Sequence, residues 1–286
     1  MNSPVKDALR MDDWGSDGGQ RWLQYLDVFE SMIAPIGEAL LARCGFCAGE
    51  RVVDIGCGGG ASARAIARQV APAGGVTGID ISAALIAEAR RRAAAAEVKN
   101  VQFVVADAAT VQPAQAPFDR LHSRFGSMFF AEPAAAFRNL GRMVRIGGRA
   151  DFAVWAPAAD NPWVAELMGV LRRHVDLPAP DPRAPGPFAL GDRDYFSGLL
   201  RDGGFGDIDL HSWHGTQWIA GPGASAAAAL DFVGNGMSIG ATLRQLPPAL
   251  HERVTAQLLA LFQARESAQG IGFPAHALLV TARRSG

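Results

Sequence analysis

Short apolar runs alternate with stretches of helical periodicity along the first half of the chain. The runs are rich in β-branched and aromatic residues, which is typical of buried strands. Five predicted strands follow one another: RVVDI (51–55), VTGID (76–80), VQFVVAD (101–107), FDRLHSRF (118–125) and GGRADFAVW (147–155). Helices are predicted at 60–70, at about 82–96 with Ser82 as N-cap, and from Pro133 onward. This alternation predicts an α/β fold with a doubly wound, mostly parallel sheet.

The pattern loosens after the fifth strand. Closely spaced prolines in DLPAPDPRAPGPFALG prevent a continuous helix or a central strand, while residues 224–267 are mostly helical. Two further strands are predicted near 207–213 and 276–283, which gives seven strands in all. The long segments 156–200 and 214–272 are interpreted as insertions that form a lid. The predicted organisation is therefore an N-terminal helical cap segment (1–49), a core (50–155) and a remainder (156–286) that holds the last two strands and both insertions.

Charge and cysteine content exclude several classes of protein. The 286 residues have a formal net charge of −1, and the arginine cluster 90–92 falls at a predicted helix end. Without a basic block that neutralises many phosphates, a nucleic-acid binder is not expected. Three cysteines predict no disulfide framework, and the C-x-x-C of Cys44 and Cys47 has no second pair to complete a zinc site. No apolar run reaches the ~18 residues of a membrane span, and the first residues lack the order of a signal peptide, so a cytoplasmic protein is expected.

A glycine-rich turn, residues 56–60 (GCGGG), follows the first strand and precedes a helix. The glycines in this turn let the backbone turn tightly and approach a ligand closely at a helix N-terminus. Two cofactors fit this much. Gly56, Gly58 and Ala61 satisfy the dinucleotide pattern G-x-G-x-x-A, and Asp80 lies 24 residues after Gly56, where a ribose-binding acid is expected.

Asp54 distinguishes the two cofactors, because it stands two residues before the first glycine. A carboxylate at this point would repel a pyrophosphate in a partly desolvated site. It would instead form a charge-assisted hydrogen bond with a cationic amino group. S-adenosylmethionine has an α-ammonium, an α-carboxylate and a sulfonium, and it matches the site group by group.

Four segments in this order and spacing resemble the successive motifs of class I S-adenosylmethionine-dependent methyltransferases: VVDIGCGGG, VTGIDIS, FVVADAA and LGRMVRIGGR. The ubiquinone-biosynthesis-like small-molecule group is the most similar subgroup. The resemblance covers about residues 50 to 155 and implies that these residues form the cofactor-binding core. It implies the Rossmann-like methyltransferase fold, a seven-stranded sheet with a reversed final hairpin, and an enzyme that converts S-adenosylmethionine to S-adenosylhomocysteine.

The resemblance also implies a role for residues of the glycine-rich turn. Asp54 would approach the methionine amino group of the cofactor. The backbone of Gly56, Gly58 and Gly60 would pass beside the methionine moiety, and Ser62 would lie near its carboxylate.

The ends of the next three strands would hold the rest of the cofactor. Asp80 would accept from both ribose hydroxyls, and Ile81 would pack on the adenine face. Asp107 would accept from the adenine N6 amine, while Ala108 would supply a backbone N–H to the ring. Ser123 would lie under the sulfonium end.

Residues outside these motifs are candidates for closing the site. Gln20 or Trp22 in the cap segment is predicted to contact the methionine end of the cofactor; the alternative is a helix that packs on the lid. Aromatic residues after the fifth strand predict an apolar or aromatic acceptor, with Trp155, Trp163 and Phe188 as pocket walls. The segment SRFGSMFF lacks the Asn-Pro-Pro-aromatic signature of enzymes that methylate amide or exocyclic base nitrogens, which disfavours nucleic-acid substrates.

A general base is needed only if the acceptor is an oxygen nucleophile. His174 and His214, in or beside the predicted lid, are the candidates, whereas His122 in the fourth strand is expected to point into the core. His211 and His214 face opposite sides of a strand, so no metal site is expected. Two alternatives to a methyltransferase stay open: a non-catalytic S-adenosylmethionine-binding module and a nicotinamide-dependent oxidoreductase.

Overall fold

One central sheet organises the chain in the computed structural model, which describes Trp14, Gly15, residues 17–177, Ala179 and residues 181–285. Its strands are β1 (Arg51–Ile55), β2 (Gly75–Asp80), β3 (Val101–Val105), β4 (Phe118–Arg124), β5 (Val144–Trp155), β6 (Phe205–Ile219), β7 (Glu266–Ser267) and β8 (Gly270–Arg284). They are ordered β3-β2-β1-β4-β5-β8-β6, and the two-residue β7 pairs with β8 outside this path. The first five strands are parallel, while β8 runs antiparallel to both β5 and β6. The predicted α/β fold and its reversed final hairpin are confirmed.

Helices cover both faces of the sheet. They are α1 (Asp17–Gln24), α2 (Leu26–Cys44), α3 (Ala61–Val70), α4 (Ala83–Ala95), α5 (Pro133–Met143), α6 (Pro162–Arg172), α7 (Arg193–Asp202), α8 (Ala226–Asn235), α9 (Ile239–Arg244) and α10 (Pro248–Gln263). The predicted start of α4 is correct, because the Ser82 hydroxyl accepts the N–H of Leu85 as an N-cap. None of the helices in the described ranges is long and apolar enough to cross a membrane.

The core divides along β1 because successive side chains of a strand point to opposite faces. Val52 packs into a smaller cluster with residues of α3 and α4, among them Ile66 and Ile86. Val53 and Ile55 belong to the larger cluster on the other face, which includes helices of the second half of the chain. Burial on both faces explains why β1 and β2, next to each other in the sheet, have nearly continuous apolar runs.

The last two long strands extend beyond their predicted bounds. Residues 214–219, which were predicted to lie in the second insertion, pair with residues 271–276 in the outer parts of β6 and β8. The prediction of an insertion beginning at 214 is therefore wrong. The structure describes the predicted cap segment (1–49) from Trp14 onward, apart from Ser16, and residues 1–13 lie outside the described residues.

Buried charged side chains join α2 and the strands beneath it. Arg120 donates to Asp151 on β5 at 2.7 Å and to the backbone oxygen of Cys44 at the end of α2 at 2.8 Å. Arg124 at the end of β4 pairs with Glu30 of α2. These contacts fix α2 across the sheet, and the pair of Arg124 lies at the carboxyl end of β4, the end at which such sheets bind ligands.

Candidate cofactor-binding site

The glycine-rich turn has the backbone conformation that its sequence predicts. The φ angles of Gly56, Gly58 and Gly60 are 64°, 51° and 74°. They lie in the left-handed region, which residues with a Cβ rarely adopt. A Cβ on Gly56 would lie 2.5 Å from the Cα of Gly126, and one on Gly60 would lie 2.8 Å from the Phe103 ring. The turn therefore packs tightly against β4 and β3 and ends at the N-terminus of α3, where Ser62 is buried in the first turn.

Asp80 holds the turn from the neighbouring strand. Its Oδ2 accepts the N–H of Gly58 at 2.9 Å, and its Oδ1 accepts the N–H of Ser82 at 2.9 Å. Burial raises the pKa of the Asp80 carboxyl, although these backbone hydrogen bonds act in the opposite direction. Each carboxylate oxygen has a second lone pair, so both can still accept from the hydroxyls of a ribose.

Two apolar side chains stand exposed beside Asp80. Ile81 is 47% exposed and Val105 is 45% exposed, although large hydrophobic side chains are otherwise nearly all covered in the described part of the chain. Val105 pairs with Asp80 in the parallel register of β2 and β3, so both side chains lie at the same edge of the sheet. Asp107 beside them is exposed, its Oδ1 accepting the N–H of Ala109, while Ala108 is buried. An apolar surface with polar groups at its rim suits an adenine ring.

Asp54 is buried at the end of β1, with 1% of its surface exposed. Its Oδ1 lies 2.8 Å from Nδ1 of His122 on β4. Its Oδ2 is buried and has no hydrogen-bond partner among the described residues. A buried carboxylate oxygen without a partner is unfavourable, so this atom is expected to receive a donor from a ligand. Ser123, in contrast, already donates its hydroxyl to the carbonyl of Ile55 at 3.0 Å.

Helix α1 covers the turn. A Cβ on Gly19 would meet Ser82, and the indole Nε1 of Trp22 would lie 3.9 Å from a Cβ built on Gly58. Trp22 stacks on Phe29 of α2 with centroids 3.9 Å apart. The structure thus brings Trp22 to the glycine-rich turn.

Gln20 is not brought to the turn. Its side chain is exposed and lines a shallow surface cavity of about 480 Å³ together with Arg21, Leu23, Gln24 and Arg244. The structure therefore does not support the prediction of Gln20 at the methionine end. Successive residues of a helix point about 100° apart, and the face of α1 that carries Trp22 is the one that meets the turn.

Four aromatic rings form a row beyond β4 and β5. Phe125 stacks on Trp155 at 4.8 Å with an angle of 27°, Trp155 contacts Trp163 at 5.5 Å, and Trp163 contacts Phe188 at 6.1 Å. The structure thus brings the three predicted pocket residues together and adds Phe125. Phe125 has φ of 61°, which is rare for a residue with a side chain and is associated with functional positions.

Ser127 was missed by the sequence analysis. It is 1% exposed, and its hydroxyl has no hydrogen-bond partner among the described residues. It follows Gly126, whose backbone packs against Gly56, so it lies close to the glycine-rich turn. The signal that could have found it is its place directly after the carboxyl end of a central parallel strand, where ligands bind in such sheets.

The two histidines proposed as a base lie elsewhere. His214 is exposed on the edge strand β6 and stacks on His276 of β8 at 4.1 Å. Four strand spacings of about 4.8 Å separate β6 from β1, so His214 lies on the order of 19 Å or more from Asp54. His174 follows α6, and its Nε2 lies 3.1 Å from Oε1 of Gln257 on α10. The structure therefore does not support the prediction of His214 as a base near the cofactor.

Two of the three cysteines, Cys44 and Cys57, are buried, and Cys47 is exposed. All three are free, and burial raises the pKa of the Cys44 thiol, which keeps it protonated and weakens it as a metal ligand. Across the described residues no group of three potential metal ligands comes together.

The residues present fit S-adenosylmethionine. The free oxygen of Asp54 can accept an ammonium, the Asp80 carboxylate can accept a ribose diol, and Ile81 with Val105 can pack on adenine. A dinucleotide would share the ribose and adenine contacts, but its pyrophosphate would meet the buried Asp54 carboxylate.

Comparison with known proteins agrees with this arrangement. Residues 52–148 match a family described as a methyltransferase domain. An uncharacterized protein of Mycobacterium tuberculosis is 31% identical over 187 residues, which is 64% of each chain. Aklanonic acid methyltransferase DauC of Streptomyces sp. (strain C5) is 34% identical over 118 residues, 41% of this chain and 54% of its own length. The chain therefore spans less than two thirds of the length of these relatives.

A solved structure extends the likeness to the whole chain. Phosphoethanolamine N-methyltransferase 2 of Haemonchus contortus, in complex with S-adenosyl-L-methionine, is 16% identical with a TM-score of 0.55, and the match covers 100% of this chain and 61% of that one. At this identity the likeness concerns the fold. The resemblance to class I S-adenosylmethionine-dependent methyltransferases is thus supported without its subgroup: residues 52–148 match a methyltransferase domain, and the whole chain shares the fold of a methyltransferase.

Proposed function

We propose that this protein transfers the methyl group of S-adenosylmethionine to a small apolar or aromatic molecule by in-line displacement. The observation that carries the proposal is the buried Oδ2 of Asp54, which has no partner in the described structure and stands where the glycine-rich turn begins. A cationic amino group satisfies this oxygen and a pyrophosphate does not. The proposed product of the cofactor is S-adenosylhomocysteine.

The proposed roles of the site residues follow from their contacts. Asp54 accepts the ammonium, Asp80 accepts the ribose hydroxyls, and Ile81 supports the adenine ring. Trp22 closes the methionine end from above the glycine-rich turn. Ser123 supports the site indirectly, because its hydroxyl ties the end of β4 to Ile55.

Bound S-adenosylmethionine supplies an activated methyl group on a sulfonium, so the protein need only align the acceptor and exclude water. The aromatic row that begins with Phe125 and Trp155 favours an apolar acceptor, although both rings pack in the core with 7% and 6% of their surface exposed. Aromatic faces also attract a sulfonium by a cation–π interaction. The Streptomyces relative is named aklanonic acid methyltransferase, which agrees with a small-molecule acceptor.

The subgroup, the partners and the location are further parts of the proposal. We assign the chain to the ubiquinone-biosynthesis-like small-molecule methyltransferases on the motifs of residues 50 to 155, and we expect a cytoplasmic enzyme that acts on no nucleic acid. A histidine base is not part of the proposed mechanism, because His214 lies at the far edge of the sheet and His174 is bonded to Gln257. An acceptor that is ionised or carbon-based needs no such base.

Calorimetry tests the cofactor assignment. We expect S-adenosylhomocysteine to bind with a micromolar dissociation constant, NAD to show no binding, and Asp54→Asn to lose most of the affinity. Asp209→Asn is the matched control, because Asp209 is exposed and pairs with Arg43 away from the site. Binding of NAD in preference to S-adenosylhomocysteine would favour an oxidoreductase and contradict the proposal.

Turnover is tested with S-adenosylmethionine labelled on the methyl group and a panel of small aromatic acids, phenols and amines. Transfer of label to at least one acceptor is expected, and Trp155→Leu should lower kcat/KM for that acceptor without changing cofactor affinity. Cofactor binding with no transfer to any member of a broad panel would favour the non-catalytic module.

A further inference from the structure

His122 is the direct neighbour of Asp54 in the sheet. The two residues are paired in the parallel register of β1 and β4, so their side chains point to the same face. The His122 ring is 0% exposed, and its Nδ1 lies 2.8 Å from Oδ1 of Asp54. The contact is therefore fully shielded from water, where hydrogen bonds to a carboxylate are strongest.

In the described structure, Asp54 is the carboxylate that lies within hydrogen-bond distance of this ring. Asp151 flanks His122 on its other side in the register of β4 and β5. The Asp151 carboxylate accepts from three other side chains: its Oδ2 accepts from Arg120, and its Oδ1 accepts from Arg149 and Thr281. The ring of His122 thus has Asp54 as its acceptor.

The second ring nitrogen indicates the tautomer. Nε2 of His122 is buried and has no partner among the described residues, and the ring lies 6.4 Å from that of Phe46. A proton on Nε2 would leave a donor unsatisfied in apolar surroundings, which is unfavourable. The hydrogen-bond geometry therefore favours a proton on Nδ1 that points at Asp54.

The Asp54 carboxylate in turn lacks a cation of its own. No lysine or arginine of the described ranges lies within ion-pair distance of it, whereas the neighbouring carboxylate of Asp151 has two. A buried carboxylate with one donor within the protein keeps its other oxygen for a ligand.

We propose that His122 is a positioning residue for the cofactor: its Nδ1–H occupies Oδ1 of Asp54 and so directs Oδ2 to the α-ammonium. The inference rests on the proposed function, because it assumes that a ligand of the S-adenosylmethionine type binds at the turn. Its particular content is that recognition of the amino group depends on a histidine of β4, which touches no part of the ligand itself.

The experiment compares two ligands, S-adenosylhomocysteine and its analogue without the α-amino group, by calorimetry. In the wild-type protein we expect the analogue to bind about 10- to 100-fold more weakly, as for the loss of one charge-assisted hydrogen bond. His122→Leu should reduce this ratio to about 3-fold or less, with little change in the affinity for the analogue. His122→Asn should keep the wild-type ratio, because the asparagine amide places an N–H donor close to the position of Nδ1.

His276→Asn is the matched control, since His276 also lies in a strand of this sheet and is hydrogen-bonded to Ser212 far from the turn. It should keep the wild-type ratio. A His122→Leu protein that still discriminates like the wild type overturns the proposal, whereas a wild-type protein that binds neither ligand refutes the proposed function itself.

If His122→Leu does not fold, nitrogen-15 NMR of the histidine rings tests the proposal through the position of the His122 ring proton. The His122 signals are identified by their loss in His122→Asn. We expect a proton on Nδ1 and none on Nε2, both with and without S-adenosylhomocysteine. A ring protonated on Nε2 alone would contradict the proposed donor and overturn the inference.

Discussion

Replacing Asp80 by alanine should separate cofactor affinity from stability. The side chain makes two hydrogen bonds within the protein, to the N–H of Gly58 and to the N–H of Ser82, and under the proposed function it also accepts from both ribose hydroxyls. The alanine variant loses all four contacts at once. Only the two to the ribose count in the affinity for S-adenosylhomocysteine.

The two effects have different magnitudes. A hydrogen bond to a charged group contributes about 1.5–3 kcal/mol, so two bonds to the ribose give a loss of at least about 3 kcal/mol. Because about 1.4 kcal/mol corresponds to a factor of ten, the dissociation constant should rise by on the order of 150-fold. Stability should change by about 1 kcal/mol or less, since the loss of the two backbone hydrogen bonds is offset by relief from burying a charge, the same burial that raises the pKa of Asp80.

Calorimetric titration gives the affinity, and urea denaturation gives the free energy of unfolding. Asp209→Ala is the matched control, because Asp209 is exposed and pairs with Arg43 away from the site. It should leave the affinity for S-adenosylhomocysteine unchanged. An Asp80→Ala protein that is normally stable and binds within about fivefold of the wild type would refute the assignment of the ribose to this carboxylate.

Three further predictions concern pH, packing and buried charge. Since the raised pKa of Asp80 belongs to an acid that must be ionised to accept hydroxyls, affinity for S-adenosylhomocysteine should fall on acidification at a higher pH than for an ordinary carboxyl, as calorimetry from pH 8 to pH 4.5 would show. Gly126→Ala should lower the melting temperature, because its Cβ would lie 2.6 Å from a backbone oxygen, whereas Gly234→Ala, with nothing within 4 Å in a helix, should leave it equal or higher. Arg120→Met should destabilise the protein by about 3 kcal/mol in urea denaturation, because it leaves the buried Asp151 with a single arginine, and an effect under about 1 kcal/mol would contradict this.

The cofactor half of the molecule could be predicted because its signals are local. Each strand of the parallel sheet ends in a turn whose residues are adjacent in sequence, so Asp54, Asp80 and Ile81 could be placed without any long-range contact. Parallel order then brings those ends to one edge of the sheet. The structure places all three beside the glycine-rich turn.

The second half could be predicted only in outline. The full length of β6 and β8 depends on pairing between residues more than fifty positions apart, and the glycines at 215 and 272 in their outer halves weaken the strand pattern. Gln20 and Trp22 were indistinguishable by sequence, because the register of α1 against the turn depends on the close approach of Gly19 to Ser82. The pairing of Asp54 with His122 likewise follows from strand order and leaves no trace in the sequence.

The N-terminal cap joins the two halves through aromatic contacts. Trp22 lies over the glycine-rich turn and stacks on Phe29, which meets Phe232 of α8 at 4.9 Å. Trp14 packs on Phe129 at 4.8 Å, two residues after Ser127 in the segment that follows β4. The N-terminal cap segment therefore contacts both the glycine-rich turn and the segment after β4, in which the aromatic row begins at Phe125. Because large apolar rings bury 150–250 Å² each, displacing the cap would expose a substantial apolar surface. Under the proposed function, substitutions in this aromatic cluster should therefore lower both the affinity for the cofactor and the turnover of the acceptor.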